Sequence, residues 1–174
     1  LPLGVGTSFL PLDEELDRSN IAATEWCKWR KRRIQGQVHD ENAYGLNGVA
    51  GNAGVFSTAR DIATFGQSML EAYQGKKTIL SPETVREMTR EQAHKGYERR
   101  GLGFRLRSED PEEDMRALSE DAFGHTGYTG TCVWVDPKRD LVCAVLTNEL
   151  YNGRENRKIE MLRREFLDAL VEQL

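Results

Sequence analysis

Apolar positions recur at two different periods along this chain. Ile62, Phe65, Met69 and Tyr73 stand three or four residues apart, the spacing of one helix face. Thr58 precedes them as an N-cap, Asp61 suits the first turn, and Gly75 closes the pattern. A second helix start follows at Ser81. Pro82 takes the first helical position, Leu80 and Val85 form a hydrophobic staple, and the helix is expected to end near Arg90. Ile159, Leu162, Phe166, Leu170 and Leu174 mark a C-terminal amphipathic helix. A short helix is expected over Leu10 to Asp17, where acids follow a Pro and precede Leu16.

The β signal is strongest at Thr131 to Val135 and Leu141 to Thr147. Both are apolar and rich in β-branched residues, and the polar turn Asp136-Pro137-Lys138-Arg139-Asp140 separates them. The second run is apolar on both parities, which predicts a central strand covered on both faces. Ile21 to Trp26, Arg33 to Val38 and Gly103 to Arg107 read as shorter strands. Gln92 to Arg100 reads as polar and irregular, and Ser108 to Glu120 as an exposed acidic excursion. From Gly45 to Gly54 a glycine recurs at every third position, which predicts a tight loop. No internal repeat or low-complexity linker interrupts the 174 residues. They are expected to form a single α+β unit, an antiparallel sheet with flanking helices.

Composition narrows the function classes. Residues are 39% hydrophobic and 30% charged, enough apolar chain to build a core. No apolar stretch approaches the ~20 residues of a membrane span. A net charge of −4 argues against generic nucleic-acid binding, despite the basic run Lys28 to Arg33 with Trp26 and Trp29 as stacking rings. That run is read as a solvated face. Cys27, Cys132 and Cys143 form no CxxC pair and are expected to be small packing residues. His39, His94 and His125 lie far apart with no HExxH, so no metal site and no cofactor is expected. His39-Asp40-Glu41 reads as a hydrogen-bonded polar loop. No signal peptide is visible, and an opening at Leu1 without Met suggests a piece of a longer product.

The informative segment is Phe123-Gly124-His125-Thr126-Gly127-Tyr128-Thr129-Gly130, which opens onto the hairpin. Its His125-Thr126-Gly127 triplet resembles the [KH]-[TS]-G strand of penicillin-binding proteins and serine β-lactamases. There K-T-G accompanies S-x-x-K and a second Ser or Tyr motif. The His form is similar to class C-like esterases and peptidases. Further blocks carry the same resemblance: Trp134-Val135-Asp136-Pro137, Leu146-Thr147-Asn148, Gly51 to Asp61, Val38 to Ala43, and the opening Pro2-Leu3-Gly4.

Two of the family's motifs are missing. None of the seven serines, Ser8, Ser19, Ser57, Ser68, Ser81, Ser108 and Ser119, has Lys three residues later, and no Tyr begins Y-x-[NS]. The resemblance therefore implies the C-terminal part of a larger serine hydrolase, with the nucleophile in an N-terminal part. Such an enzyme forms an acyl-enzyme from β-lactams, esters or peptidoglycan-type peptides. This chain alone is expected to be inactive.

The resemblance assigns the following roles. The Tyr128 N–H faces the developing oxyanion. Gly127 lets substrate approach the strand edge, and His125 and Thr126 bind substrate polar groups or tune the proton network. Gly54, Val55, Phe56 and Asn148 contact substrate, although Asn148 reads equally as a strand-end turn former. The implied partners are a small-molecule or peptide substrate and the N-terminal part of the same enzyme. Self-association is expected where that part is absent. An extracytoplasmic location follows only if the chain is like most of the family. The alternative is a noncatalytic ligand- or peptidoglycan-binding domain.

Overall fold

A computed structural model describes residues 3, 6–13, 17–108, 110, 115–155 and 157–174. Pro2, Gly4, Leu16 and the middle of the acidic excursion lie outside the described residues. Where the first helix was expected, Leu10 to Asp13 form a turn, and Asp17 caps a 3-10 turn at Arg18–Asn20.

Two strands, β1 (Trp26–Cys27) and β2 (Arg32–Arg33), form a small antiparallel hairpin. The basic run is its tip, with Lys31 in the left-handed region. The expected strands on either side were therefore displaced toward the turn. Arg30 and Arg33 also leave solvent. Arg30 donates to the Val38 and His39 carbonyls (2.8 and 3.2 Å) and lies over the Tyr44 ring, while Arg33 lies over the Tyr151 ring.

Three helices follow: α1 (Glu41–Gly45), α2 (Ala59–Tyr73) and α3 (Pro82–Thr89). Their caps follow from the sequence. Asp40, Thr58 and Ser81 each accept from the backbone N–H three residues on, at 2.7, 3.2 and 3.2 Å.

A six-stranded antiparallel meander occupies the second half. It comprises β3 (Ala93–Lys95), β4 (Glu98–Arg100), β5 (Arg105–Leu106), β6 (Phe123–Thr126), β7 (Cys132–Asp136) and β8 (Leu141–Val145), ordered as numbered. The helix α4 (Ile159–Val171) closes the chain. On one face of the sheet, Met69, Leu70 and Ala72 of α2 and Val85 of α3 pack on Leu106, Phe123 and Val135. On the other, Leu167 packs with Met115, Leu118, Cys132, Trp134 and Cys143. All three cysteines are buried, and burial pushes the Cys143 thiol up to about 11.

Four expectations are corrected. Gln92 to Arg100 is a β-hairpin, not irregular chain: its strands are exposed and so carry no alternating apolar signal. The excursion is not simply exposed, because Ser108, Met115 and Leu118 are buried. The strand β8 is covered on both faces, as its two apolar parities require, but it ends the strand order instead of lying centrally. In α4 the inward face is Ile159, Arg163 and Leu167, one residue round from the expected stripe. Leu162 and Phe166 are 52% and 45% exposed.

Candidate active site

The site is built at the end of β6. Thr126 pairs with Cys132 of β7, and residues 127–131 form the connecting turn. Three hydrogen bonds close it. The Gly127 N–H donates to Thr131 O (2.7 Å), the Gly130 N–H to Gly127 O (3.0 Å), and Thr147 Oγ1 to Gly130 O (2.6 Å). The Glu149 N–H adds a bond to Thr129 O (2.9 Å), tying the turn to the chain beyond β8.

Glycine is required here for backbone reasons. Gly130 has φ +111°, and a Cβ on it would sit 2.5 Å from Thr147 Oγ1. A Cβ on Gly127 would lie 2.2 Å from Thr131 Oγ1. Packing inside the turn therefore already accounts for Gly127, which was expected to serve substrate approach.

Tyr128 stands at the crest, 52% exposed. Its N–H has no hydrogen-bond partner among the described residues, whereas its carbonyl accepts from Arg157 Nη2 (2.9 Å). An unengaged backbone N–H in a hydrogen-bonded turn has the chemistry of an oxyanion donor. Arg163, buried on α4, donates to Thr131 O at 3.2 Å beneath the turn.

The structure adds two cations that sequence reasoning missed. Arg100 of β4 donates from Nη1 to His125 Nε2 (2.9 Å), and Arg105 of β5 from Nη1 to Thr126 Oγ1 (3.4 Å). Guanidinium only donates, so His125 Nε2 is the acceptor. Its proton then sits on Nδ1, directed at Thr126 O (2.7 Å). The permanent positive charge beside the triplet thus belongs to arginine. Arg100 also engages Glu98. No local motif announces either Arg, because register alone brings them to β6: Arg100 pairs with Arg105, which pairs with Gly124.

The other expected site residues have different partners, although Asn148 lies between Thr147 and Glu149, both bonded to the turn. Phe56 makes a two-hydrogen-bond bridge with Ser8 (3.0 and 2.7 Å), and Val55 is exposed. Gly54 has φ +118°, where a Cβ would meet Gly48 O at 2.5 Å. No hydrogen bond or ring contact among the described residues joins residues 54–56 to the triplet. Asn148 donates from Nδ2 to Ala23 O, holding the N-terminal segment, while its buried Oδ1 has no partner. A depression of about 500 Å³ bordered by Ser119, Lys138 and Arg139 lies at the opposite end of the β7 ladder. No helix among the described residues is long and apolar enough to cross a membrane.

Comparison with known proteins finds relatives both by sequence and by fold. The chain is 34% identical over 175 residues to a Salmonella agona protein named "Putative D-alanyl-D-alanine carboxypeptidase". The match covers 91% of this chain and 40% of that protein. Salmonella newport has a relative of the same name, identity and coverage. The chain thus spans about two fifths of the length of these curated relatives. Among solved structures, a β-lactamase from Mycobacterium bovis superposes with a TM-score of 0.54 at 27% identity, over 70% of this chain and 46% of that one. Unliganded simvastatin synthase from Aspergillus terreus matches with a TM-score of 0.62 at 18% identity, over 99% of this chain and 46% of that one, a likeness of fold. The Beta-lactamase family profile matches residues 13–168, across the β1–β2 hairpin, the three helices, the whole meander and most of α4, and the chain belongs to that family.

Proposed function

We propose that this chain supplies one wall of a serine hydrolase whose nucleophile lies outside these 174 residues. The observation that carries the reading is the Tyr128 N–H, which has no partner among the described residues and sits at the crest of a turn closed by the Gly127, Gly130 and Thr147 hydrogen bonds. A serine Oγ would attack a carbonyl carbon and pass its proton to a base. The carbonyl oxygen would gain negative charge facing the Tyr128 N–H. Collapse of that intermediate expels the alcohol or amine and leaves an acyl-enzyme, which water then cleaves. A donor of this kind contributes about 2.7–4 kcal/mol to the barrier in comparable sites.

Family membership and the relatives' names support hydrolysis of an ester, amide or β-lactam. Arg100 and Arg105 favour substrates bearing a carboxylate near the scissile bond. Their permanent charge stands in for the Lys of K-T-G, with His125 Nε2 as an acceptor of Arg100. The absence of S-x-x-K from the chain supports its inactivity in isolation and equally suits a noncatalytic binding domain. Hydrolysis of nitrocefin and p-nitrophenyl esters tests the reading. The protein from the complete reading frame is expected to turn over one of them, with this chain alone at background. Background rates from both would leave the binding domain as the better account.

A further inference from the structure

The polar cluster at His39-Asp40-Glu41 is left without a task by the site as described. His39 is nearly buried, with Nε2–H donating to Glu25 Oε1 at 2.9 Å. Arg154 donates to the same oxygen, Glu25 Oε1, at 2.6 Å and to Glu41 Oε1 at 2.5 Å. Burial pushes the Glu25 carboxyl up, but hydrogen bonds from His39 and Arg154 outweigh it, so Glu25 stays ionised as an anchor. Arg30 holds the His39 carbonyl. The imidazole is thereby fixed, and its free face stacks on the Tyr128 ring, centroids 5.9 Å apart and planes 25° apart.

A second contact to Tyr128 is also held in place. The Arg157 guanidinium lies 4.3 Å from the ring centroid and also binds the Tyr128 carbonyl. Glu149 secures Arg157 at 2.8 Å while capping the first two N–H groups at the start of α4. Tyr128 is thus gripped from two parts of the chain far apart in sequence.

We propose that His39 is a positioning residue, one jaw of a clamp that sets the Tyr128 peptide through its ring. The structural claim stands on these contacts, and its catalytic consequence rests on reading the Tyr128 N–H as the oxyanion donor. Glu25, Arg154 and Glu41 act as the jaw's anchor. None of them touches substrate in this account.

Hydrogen–deuterium exchange read by mass spectrometry tests the clamp directly. The reporters are the protected amides of Gly127 and Gly130. In His39→Ala they are expected to exchange about 2- to 10-fold faster, the population change that losing one aromatic contact gives. His39→Gln, which keeps a hydrogen-bonding group but no ring, should match it. Glu25→Gln should lie between it and the native protein, and the remote control His94→Ala should leave residues 127–131 unchanged. Unaltered exchange in both His39 variants would overturn the clamp, as would an even rise across β6, β7 and β8, which marks global loosening.

The catalytic consequence is read in the protein that carries the nucleophile. There His39→Ala is expected to lower kcat by about 10-fold at unchanged KM, as for an interaction made only in the transition state. A raised KM at unchanged kcat would overturn that consequence. Absence of turnover in the native protein would instead refute the acyl-transfer reading, and exchange would still decide the clamp.

Discussion

At the scale of single residues, charge and tautomer decide what the triplet can do. His125 Nε2 accepts from Arg100, so the permanent cation is an Arg borrowed from the next hairpin. In the nucleophile-bearing protein, His125→Ala is expected to lower kcat/KM by about 10²-fold, the range of a lost proton-handling group. Its exposed side chain predicts little change in Tm. A collapsed Tm with native kinetics would make it a structural histidine. Arg100→Met should raise KM for carboxylate-bearing substrates by about 10-fold or more, a charged hydrogen bond's worth. Neutral esters should be spared.

Asp136 shows the same logic applied to stability. It is fully buried and accepts from the Ser119 N–H and hydroxyl and from the Lys138 and Arg139 N–H groups, and Arg139 Nη1 adds a contact at 2.9 Å. Burial raises its pKa, but the Ser119 and Arg139 bonds outweigh this and hold it below the usual carboxylate range. A lowered folded-state pKa stabilises fully above the unfolded value of about 3.9 and fades as pH falls through the folded one. The native protein should therefore lose Tm steeply below about pH 4. Asp136→Asn should start about 1.5–3 kcal/mol less stable at neutral pH and show a flatter acid limb. Thermal melts from pH 7 to pH 2 check both.

At the scale of elements, legibility followed local physics. Thr58 and Ser81 announce α2 and α3 because an N-cap is satisfied within three residues. The β7–β8 hairpin was equally plain, since burial on both faces leaves a continuous apolar run. The hairpin β3–β4 was invisible because it buries almost nothing, and the inward face of α4 was misread because its central inward residue is Arg163. The triplet could be found from its resemblance, but its cations could not, since only the β4–β5–β6 register delivers them. Gly66, in the middle of α2, has a tertiary cause: a Cβ there would lie 2.5 Å from Val142 Cγ1 on β8. Gly66→Ala should therefore destabilise by about 1–3 kcal/mol, although helix propensity alone favours Ala. Combining it with Val142→Ala should cost less than the two separate losses added, as chemical denaturation of the double-mutant cycle would reveal.

At the scale of the whole molecule, two surfaces stand open. Among the described residues, β8 ends the strand order, and Leu162 and Phe166 stand exposed on α4. Open apolar edges recruit strands from other chains. The isolated chain is therefore expected to self-associate, with two-fold pairing the commonest outcome. Sedimentation should give a mass that rises with concentration, and a single monomer throughout would mean these surfaces are tolerated.

The central claim, a wall without its nucleophile, meets its most direct test in covalent labelling. Intact mass spectrometry after incubation with a fluorophosphonate and with a fluorescent penicillin reads it in one step. The account predicts no adduct on this chain, because none of its seven serines has the partnering Lys. It predicts one equivalent on the protein from the complete reading frame, at a serine outside these 174 residues. A stoichiometric adduct on any serine of this chain would contradict it.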